Sequence, residues 1–401
     1  MLTTQGRRPY ALLGTMSAFV YRCSRCSREY DITPDRLVCD VCAGDQRPEQ
    51  PLSGILEVVS EAISNRRIPA EWSVFDFLPV DREWFPPIPV GNTPLWEPER
   101  LRQTSGFPRL FLKDDTCNPT GSFKDRASAL VAAYARREKI DRIVLASTGN
   151  AGSSMSGVGA AAGLKVRLYL PAAAPAAKLV QSLQYGADVV RVDGTYDDAY
   201  AEAMAYLGEH GGLSRNTGHN PLTIEGKKTV SLEIFRQLGN RMPDYVFVST
   251  GDGVILSGVY RGFEDLVTAG FADRMPTMVA AQAEGSNAIS RALPAGKFGA
   301  PVPAATIADS ISVDVPAAGY FALDRLRRHK GRTVTVSDDA ILAAQRELAA
   351  GSGLFAEPAA AAAWAGFAAM QEELPADATV VVLITGSGLK DIESAKRAVG
   401  L

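Results

Sequence analysis

The sequence predicts an α/β protein with parallel sheets, and three observations support that class. From residue 141 onward, short runs rich in Val, Ile and Leu alternate with longer stretches of helical pattern. The helical stretches are about ten residues or longer, as a crossover between parallel strands requires. With 401 residues, 46% of them hydrophobic, the chain can bury enough apolar surface for two lobes and an appendage. We therefore expect helices on both faces of parallel sheets.

The elements of this region can be assigned in chain order. Predicted strands cover residues 141–147, 165–171, 187–194, 244–250, 277–284, 333–338 and 379–385. Predicted helices cover residues 152–163, 174–185, 197–209, 224–238, 255–269, 338–350 and 358–373. The alternation of the two types indicates strand–helix–strand units rather than an all-β or an all-α protein.

Four of the five cysteines form two Cys-x-x-Cys pairs separated by twelve residues. Each pair can present two thiolates to one metal ion, and the spacing leaves room for a short hairpin between the pairs. The alternatives are two disulfides, which a reducing compartment disfavours, or four idle thiols, which the repeated spacing disfavours. Four sulfur ligands leave no open position for catalysis, so we expect a structural zinc ribbon over residues 18–48. The predicted ligands are Cys23, Cys26, Cys39 and Cys42.

Composition argues against nucleic acids and membranes as partners. The formal net charge is −3 and the pI is about 5.8, with no long block of like charge. No apolar run reaches the roughly 18 residues of a membrane span, since the alanine-rich stretch 359–369 is short. Two arginines before an apolar stretch near residue 10 outline a weak secretory signal, but they lack a convincing cleavage pattern. We expect a cytoplasmic protein with small-molecule partners.

Three glycine-containing loops follow predicted strands, at residues 147–153, 249–254 and 384–391. Ligands of open α/β sheets bind where the carboxyl ends of strands meet helix N-termini. The glycines of 249–254 would let backbone amides approach a phosphate at the positive end of the next helix. Neither the GxGxxG spacing of dinucleotide sites nor the GxxxxGK spacing of P-loops is present. A single phosphate therefore suits this loop better than a diphosphate or triphosphate.

Lys124 follows a run of small and polar residues, NPTGS, and precedes a helical stretch. Ser122 and Asp125 resemble a helix capping box, which would place Lys124 in the first helical turn, where the macrodipole favours a neutral amine. A neutral amine is what a Schiff-base nucleophile or a proton shuttle needs. The alternative is an ordinary surface lysine. Together with the glycine loop, Lys124 points to a cofactor with an aldehyde, an aromatic ring and one phosphate, which describes pyridoxal phosphate.

Seven stretches occur in an order that is more specific than any one of them. They are GNTPL (91–95), NPTGSFKDR (118–126), STGNAG (147–152), NPLTIEGKKT (220–229), STGDGVILSGVYRGF (249–263), FAEPAAAAA (355–363) and TGSGLKD (385–391). Together they resemble the threonine synthases and their relatives among the fold-type II pyridoxal-phosphate enzymes, over about residues 75–401. The cysteine-rich N-terminus is also similar to that of some members.

The resemblance implies an architecture. A catalytic region at residues 91–401 would contain two open, twisted parallel-sheet lobes, the smaller one at roughly 130–240. Residues 49–90 would form a helical and extended segment between the zinc ribbon and this region. A homodimer is implied by the family as well.

The resemblance also implies site residues. Lys124 would form the Schiff base with pyridoxal phosphate and move protons at the substrate carbons. Phe123 would lie beside the cofactor, Asn150 would bond its 3′ oxygen, and Thr385 would face the pyridine nitrogen. The substrate carboxylate would bind at Ser147, Thr148 and Asn150. The cofactor phosphate would bind backbone amides of Gly251, Asp252, Gly253 and Val254.

Two positions depart from the threonine synthase pattern. Thr223 stands where that pattern has an arginine that helps to bind the substrate phosphate, so a bidentate anion clamp is missing. Asp252 stands in the phosphate loop, where its charge would repel a phosphate unless the side chain points away. Candidates for a replacement cation are Lys113, Lys227 and Lys228, with solvated lysines as the alternative reading.

We expect a pyridoxal-phosphate-dependent lyase that acts on an amino acid with a good leaving group, most simply O-phosphohomoserine to threonine. The alternative is β-replacement or β-elimination on a serine-type substrate or threonine, as in cysteate synthases and threonine dehydratases. A non-enzymatic zinc-ribbon binding protein on a degenerate scaffold is the third reading. The three histidines, His210, His219 and His329, do not suit triad hydrolysis, although His219 lies in a loop that could touch substrate.

Overall fold

The computed structural model describes residues 19–174 and 176–401, which form three β-sheets and their surrounding helices. Most of the stretch that outlined a secretory signal lies outside the described residues, as does residue 18 of the predicted ribbon. Among the described residues, no helix combines the length and apolar character needed to cross a bilayer. Strands and helices are labelled below in chain order.

The N-terminal sheet is small and antiparallel, with strand order β2-β1-β3. Its strands are β1 (Phe19–Cys23), β2 (Glu29–Tyr30) and β3 (Leu56–Ser60), accompanied by the short helices α1 (Asp40–Ala43) and α2 (Glu61–Ser64). The third strand lies inside the segment 49–90, so this sheet extends past the predicted ribbon. The division into domains stays a prediction.

The smaller lobe contains a four-stranded parallel sheet with order β8-β7-β6-β9. Its strands are β6 (Arg142–Ala146), β7 (Lys165–Pro171), β8 (Asp188–Val192) and β9 (Leu213–Ser214). Its helices are α4 (Lys124–Arg137), α5 (Asn150–Ala162), α6 (Ala176–Gln184) and α7 (Tyr196–His210). The strands predicted at 141–147, 165–171 and 187–194 are confirmed, as is the parallel arrangement.

The larger lobe contains a six-stranded sheet with order β12-β11-β10-β13-β5-β4. Its strands are β4 (Leu95–Trp96), β5 (Leu110–Asp114), β10 (Tyr245–Ser249), β11 (Thr277–Ala283), β12 (Arg332–Val336) and β13 (Val380–Ile384). Five strands are parallel, whereas the edge strand β4 runs antiparallel to β5. This sheet is therefore mixed at one edge.

The remaining helices complete the fold. They are α3 (Glu99–Ser105), α8 (Leu222–Glu225), α9 (Thr229–Gln237), α10 (Val254–Thr268), α11 (Ala288–Ala295), α12 (Gly319–Arg328), α13 (Asp338–Ser352), α14 (Pro358–Met370) and α15 (Ile392–Ala398). Short 3-10 helices cover Val74–Phe77, Arg82–Trp84, Asp115–Cys117, Gly226–Lys228, Asp309–Ile311, Gln371–Glu373 and Gly388–Lys390. The single helix predicted at 224–238 is wrong in detail, because a 3-10 turn separates α8 from α9.

Strand β13 shows why both faces of the larger sheet are covered. Val380, Val382 and Ile384 pack into one hydrophobic cluster with α14. Val381 and Leu383 point the opposite way, into a second cluster with α10. Successive side chains of a strand alternate between faces, so a continuous apolar run requires burial on both sides. The predicted helix–sheet–helix layering is confirmed.

Candidate active site

Lys124 is the first residue of α4, and a backbone bridge fixes where that helix begins. The Phe123 amide donates to the Thr385 carbonyl oxygen at 2.8 Å, and the Ser387 amide donates to Gly121 at 3.0 Å. These bonds attach the start of α4 to the residues that follow β13. Lys124 therefore lies at the carboxyl end of the larger sheet, where ligands of such sheets bind.

The predicted capping box at Ser122 and Asp125 is wrong. The residue that precedes α4 is Phe123, which makes no side-chain cap. Asp125 instead accepts hydrogen bonds from the amide and the hydroxyl of Thr120, at 2.8 and 2.5 Å, because Thr120 lies against the buried face of the helix. The Ser122 hydroxyl is buried and has no hydrogen-bond partner among the described residues.

The Lys124 ammonium is half-buried and has no hydrogen bond or ion pair with any residue in 19–174 or 176–401. The neighbouring Arg126 is held firmly: its Nε donates to Asp115 at 2.6 Å and its Nη1 to Glu233 at 2.6 Å. The first turn of α4 is thus anchored by Arg126, while the amine two residues earlier is free to react.

The loop that follows β10 leads directly into α10, and its glycines are required by the packing. A Cβ at Gly251 would lie 2.6 Å from Cα of Ile311, and Gly253 has a positive φ of 79°. A side chain at Gly251 would collide with the backbone of Ile311, and a side chain at Gly253 would strain the backbone. The loop backbone is therefore closely packed at the N-terminus of α10, a helix of 15 residues.

The Asp252 side chain lies at that helix N-terminus. Its Oδ1 accepts a hydrogen bond from the Val254 amide at 2.9 Å. The carboxylate thus points toward the end of α10 rather than away from it. This is the orientation in which it competes with any anion for the same amide.

Asn150 is the first residue of α5, and a buried glutamate holds its side chain. Its Nδ2 lies 3.0 Å from both carboxylate oxygens of Glu357 and 3.3 Å from the Ser310 hydroxyl. Burial raises the pKa of Glu357, against the opposing effect of the hydrogen bond from Asn150. The sequence does not predict a role for Glu357, in the FAEP stretch, because its position before a helix gives no signal of this contact.

Ser147 and Thr148 lie in the same loop as Asn150. The Ser147 hydroxyl accepts hydrogen bonds from the amides of Gly149 and Gly152, at 3.3 and 3.0 Å, so it stabilises the start of α5. Thr148 is half-buried. A cleft of about 280 Å³ is lined by Asn150 and Glu357 with Ser153 and Lys390. The predicted substrate loop therefore borders an open cleft.

Thr223 cannot act as an anion clamp in this structure. Its hydroxyl donates to the Asn220 carbonyl oxygen at 2.7 Å and accepts from the Gly218 amide at 3.2 Å, and the residue is fully buried. Of the three candidate replacement lysines, two are paired with carboxylates: Lys113 with Glu233 and Lys228 with Asp265, each at 2.7 Å. That leaves Lys227.

His219 was predicted to lie in a loop near substrate. Its ring lies against that of Tyr200, with centroids 4.9 Å apart, and its Nδ1 is buried without a hydrogen-bond partner in residues 19–174 and 176–401. Burial lowers the pKa of His219. Contact with substrate stays a prediction.

The four predicted zinc ligands come together at the N-terminal sheet. Their sulfur atoms all lie within 4.8 Å of one another, with Cys23 to Cys42 at 3.8 Å and Cys26 to Cys39 at 3.7 Å. Sulfurs at about 2.3 Å from a tetrahedral ion are about 3.8 Å apart, so the spacing suits zinc. Gly54 leaves room for the cluster, since a Cβ there would lie 3.0 Å from the Cβ atoms of Cys39 and Cys42.

Comparisons with known proteins bear on the family and the fold of the chain. A family model described as pyridoxal-phosphate dependent enzyme matches residues 88–386. The threonine synthase of Methanocaldococcus jannaschii is 33% identical over 386 residues, 94% of this chain and 94% of that protein. The threonine synthase of Synechocystis is 36% identical over 307 residues, 76% of this chain and 78% of that protein.

Solved structures share the fold. A threonine deaminase from T.th. aligns with a TM-score of 0.65 and 26% identity, over 74% of this chain and 92% of that chain. Threonine deaminase isoform 2 from Solanum lycopersicum aligns with a TM-score of 0.69 and 21% identity, over 91% of this chain and 100% of that chain. The predicted fold-type II architecture and the prediction of an enzyme are confirmed. The chain belongs to the family of pyridoxal-phosphate dependent enzymes.

Proposed function

We propose that the protein converts O-phosphohomoserine and water to threonine and phosphate. The observation that carries this proposal is the similarity to threonine synthases over 94% of the chain. The free amine of Lys124 at the carboxyl end of the larger sheet is consistent with it. The substrate class is an amino acid with an anionic leaving group on its side chain.

The residues at the site fit pyridoxal phosphate. Lys124 offers an amine without a carboxylate partner among the described residues, and the 251–254 loop offers amides where a Cβ at Gly251 would clash. Phe123 would pack beside the ring, Asn150 would bond the 3′ oxygen, and Thr385 would meet the ring nitrogen with a neutral hydroxyl. When bound, this cofactor withdraws electrons from the substrate Cα and makes neighbouring protons acidic.

Lys124 would hold the cofactor and then move protons. With its amine released, it takes the proton from Cα and then one from Cβ, which allows phosphate to leave Cγ. It returns one proton to Cγ and, after the hydroxyl of water adds at Cβ, the other to Cα, while the remaining proton of the water goes to the released phosphate. Ser147, Thr148 and Asn150 would orient the substrate carboxylate at the start of α5. The sum of these steps adds one water and releases one phosphate.

The zinc ribbon has a structural role in this proposal. Four cysteine ligands leave no position for substrate. The cluster lies at the sheet β2-β1-β3, and Cys23 is the last residue of β1. A cytoplasmic location and a homodimer complete the proposal.

One observation favours a second function. The buried Thr223 hydroxyl is committed to backbone atoms, so it offers nothing to a substrate phosphate. The threonine deaminase from T.th. shares the fold at 26% identity. The alternative is therefore β-elimination or β-replacement on threonine or a serine-type substrate.

A panel of substrates separates the two functions. The holoenzyme is incubated with O-phosphohomoserine, threonine or serine, and phosphate, ammonia, 2-oxo acid and threonine are measured. We expect phosphate and threonine in equal amounts from O-phosphohomoserine. Ammonia and a 2-oxo acid from threonine or serine, with no phosphate from O-phosphohomoserine, would replace the proposal with the alternative.

A further inference from the structure

Two buried cations in the protein lack the partners that the others have. In the part of the chain that the structure describes, seven lysine or arginine residues are buried. Five of them form ion pairs with carboxylates: Lys113, Arg126, Lys228, Arg261 and Arg325. The other two, Arg215 and Lys227, are both 0% exposed and have no carboxylate within ion-pair distance in residues 19–174 and 176–401.

Arg215 keeps one nitrogen unused. Its Nε donates to the Ser128 hydroxyl at 3.3 Å and its Nη1 to the Thr217 hydroxyl at 2.5 Å. Its Nη2 is buried with no hydrogen-bond partner in the part of the chain that the structure describes. Burial lowers the pKa of Arg215 to about 10, although the charges of Asp125 and Asp252 oppose that effect. A buried guanidinium with a vacant donor is costly unless an acceptor arrives.

Among the described residues, Lys227 makes one side-chain hydrogen bond, from Nζ to the Thr223 carbonyl oxygen at 2.9 Å. An ammonium has three donors, so two remain available. Burial lowers the pKa of Lys227 well below its ordinary value, and the positive charges of Lys124 and Arg215 lower it further. The neutral bond to a carbonyl does not offset the cost of burying this charge.

The loop after Arg215 and the side chain of Lys227 lie against the N-terminal part of α10, and both cations are near enough to Asp252 for its charge to act on their pKa values. A Cβ at Gly218, in the loop after Arg215, would lie 3.4 Å from Cγ2 of Val254, the first residue of α10. A Cβ at Gly258, one turn further along that helix, would lie 2.5 Å from the Cβ of Lys227. The two side chains therefore add positive charge to a region that already contains the positive end of the α10 dipole.

We propose that Arg215 and Lys227 form a buried subsite that binds a phosphoryl group beside the N-terminus of α10. The inference rests on the proposed function, in which both the cofactor and the substrate carry a phosphate ester. A phosphate dianion would accept the unused donors of both side chains and balance their two charges. The two cations would also offset the repulsion between this dianion and the Asp252 carboxylate.

Two titrations of the variants Arg215→Met and Lys227→Met distinguish whether the phosphoryl group belongs to the substrate or to the cofactor. In the first, pyridoxal phosphate or pyridoxal is added to cofactor-free protein and bound cofactor absorbance is followed. In the second, inorganic phosphate is added to the holoenzyme and binding is measured by calorimetry. A subsite for the substrate predicts at least tenfold weaker binding of inorganic phosphate. A subsite for the cofactor predicts at least tenfold weaker binding of pyridoxal phosphate but not of pyridoxal.

Lys228→Met is the matched control, because Lys228 is an equally buried neighbour that is paired with Asp265 and with Glu225. We expect this control to lower the unfolding temperature, since it leaves the Glu225 carboxylate buried without its partner. Lys227→Met should leave the unfolding temperature unchanged or raise it. Phosphate affinity should fall in Lys227→Met and stay unchanged in Lys228→Met. Arg215→Lys keeps a positive charge and should retain part of the phosphate affinity that Arg215→Met loses. This variant also provides the test if Arg215→Met does not fold.

Unchanged affinity for both phosphate and pyridoxal phosphate in Arg215→Met and Lys227→Met would overturn the inference, even if the wild type forms threonine. Weakened phosphate binding in a protein that releases no phosphate from O-phosphohomoserine would uphold the subsite and contradict the proposed function instead. The two failures are therefore distinguishable.

Discussion

Lys124 is set apart from the other lysines near the site by its lack of partners. Lys113 and Lys228 are paired with carboxylates, and Lys390 donates to Gln181 at 2.6 Å. The Lys124 amine, which has no such bond among the described residues, is left for covalent chemistry. The arrangement explains how one lysine can be chosen among several at the same end of the sheet.

Replacing Lys124 with alanine tests its role. We expect turnover to fall at least about a thousandfold, because both the attachment point and the proton shuttle are lost. Borohydride reduction followed by peptide mass spectrometry should place the cofactor on Lys124 in the wild type. Cofactor mass on any other lysine would contradict the assignment.

Replacing Asp252 with asparagine tests the charge at the phosphate loop. The amide oxygen keeps the acceptor for the Val254 amide, which now donates to the Asp252 carboxylate at 2.9 Å. Loss of the negative charge should tighten pyridoxal phosphate binding about tenfold, or about 1.4 kcal/mol. The affinity for pyridoxal, which has no phosphate, is the control and should not change. Equal or weaker binding of pyridoxal phosphate would show that the carboxylate does not oppose the cofactor.

Sequence reasoning placed Asn150 and Thr385 at strand ends, because the carboxyl ends of parallel strands meet at one edge, and it singled out Lys124 from the polar run before it and the helical stretch after it. It did not find Glu357 or Arg215. Glu357 meets Asn150 across 207 residues of sequence, and such a contact has no local signal. Arg215 is noticed only when five of the seven buried cations among the described residues are seen to form ion pairs with carboxylates and Arg215 is not one of them.

At the element scale, an ion-pair network positions α4. Glu233 on α9 accepts from Arg126 on α4 at 2.6 Å and from Lys113 on β5 at 2.7 Å. Burial alone would raise the pKa of Glu233, but Arg126 and Lys113 outweigh it and lower the pKa to about 2. The network thereby holds the turn that begins with Lys124.

This network predicts a loss of stability in acid. Because the pKa of Glu233 is lower in the folded state, its contribution is present above the ordinary glutamate pKa of 4.5 and is lost as the pH falls toward about 2. The contribution amounts to about 3 kcal/mol. Glu233→Gln should be less stable than the wild type at pH 7, by about 3–5 kcal/mol. It should also lose less stability between pH 5 and about 2. Parallel denaturation curves for the two proteins over that range would contradict this account.

The cysteine cluster predicts a metal-dependent N-terminal sheet. Purified protein should contain one zinc per chain, and Cys26→Ser should lower both the zinc content and the unfolding temperature. Cys117→Ser is the control, since Cys117 is exposed and donates only to Asp114. Full zinc content in Cys26→Ser would remove that residue from the ligand set.

Strands were predicted more accurately than helix ends. A buried apolar run such as Val380–Ile384 is visible in the sequence, since it needs no partner to be recognised. The break at Gly226–Lys228 was missed because its cause is tertiary: a Cβ at Gly226 would lie 2.5 Å from the Arg126 carbonyl oxygen. The start of α4 was misread because Asp125 bonds Thr120 rather than the helix end.

At the scale of the whole molecule, two sheets with different strand orders bring their carboxyl ends to one site. The alternation of strands and helices predicted parallel sheets, and the family resemblance implied two lobes, but β5 and β9 were not predicted. The sequence could not predict the antiparallel edge strand β4, which is two residues long. It also could not show that β3 completes the N-terminal sheet, because the pairing joins β1 to a strand more than thirty residues later.

The most direct test of the central claim is the fate of water oxygen during turnover of O-phosphohomoserine in ¹⁸O-labelled water. The account predicts ¹⁸O in the hydroxyl group of threonine and none in the released phosphate, because phosphate leaves with its bridging oxygen and water adds at Cβ. Label in the phosphate, with homoserine as the other product, would mean that the phosphorus–oxygen bond is cleaved and would contradict the account.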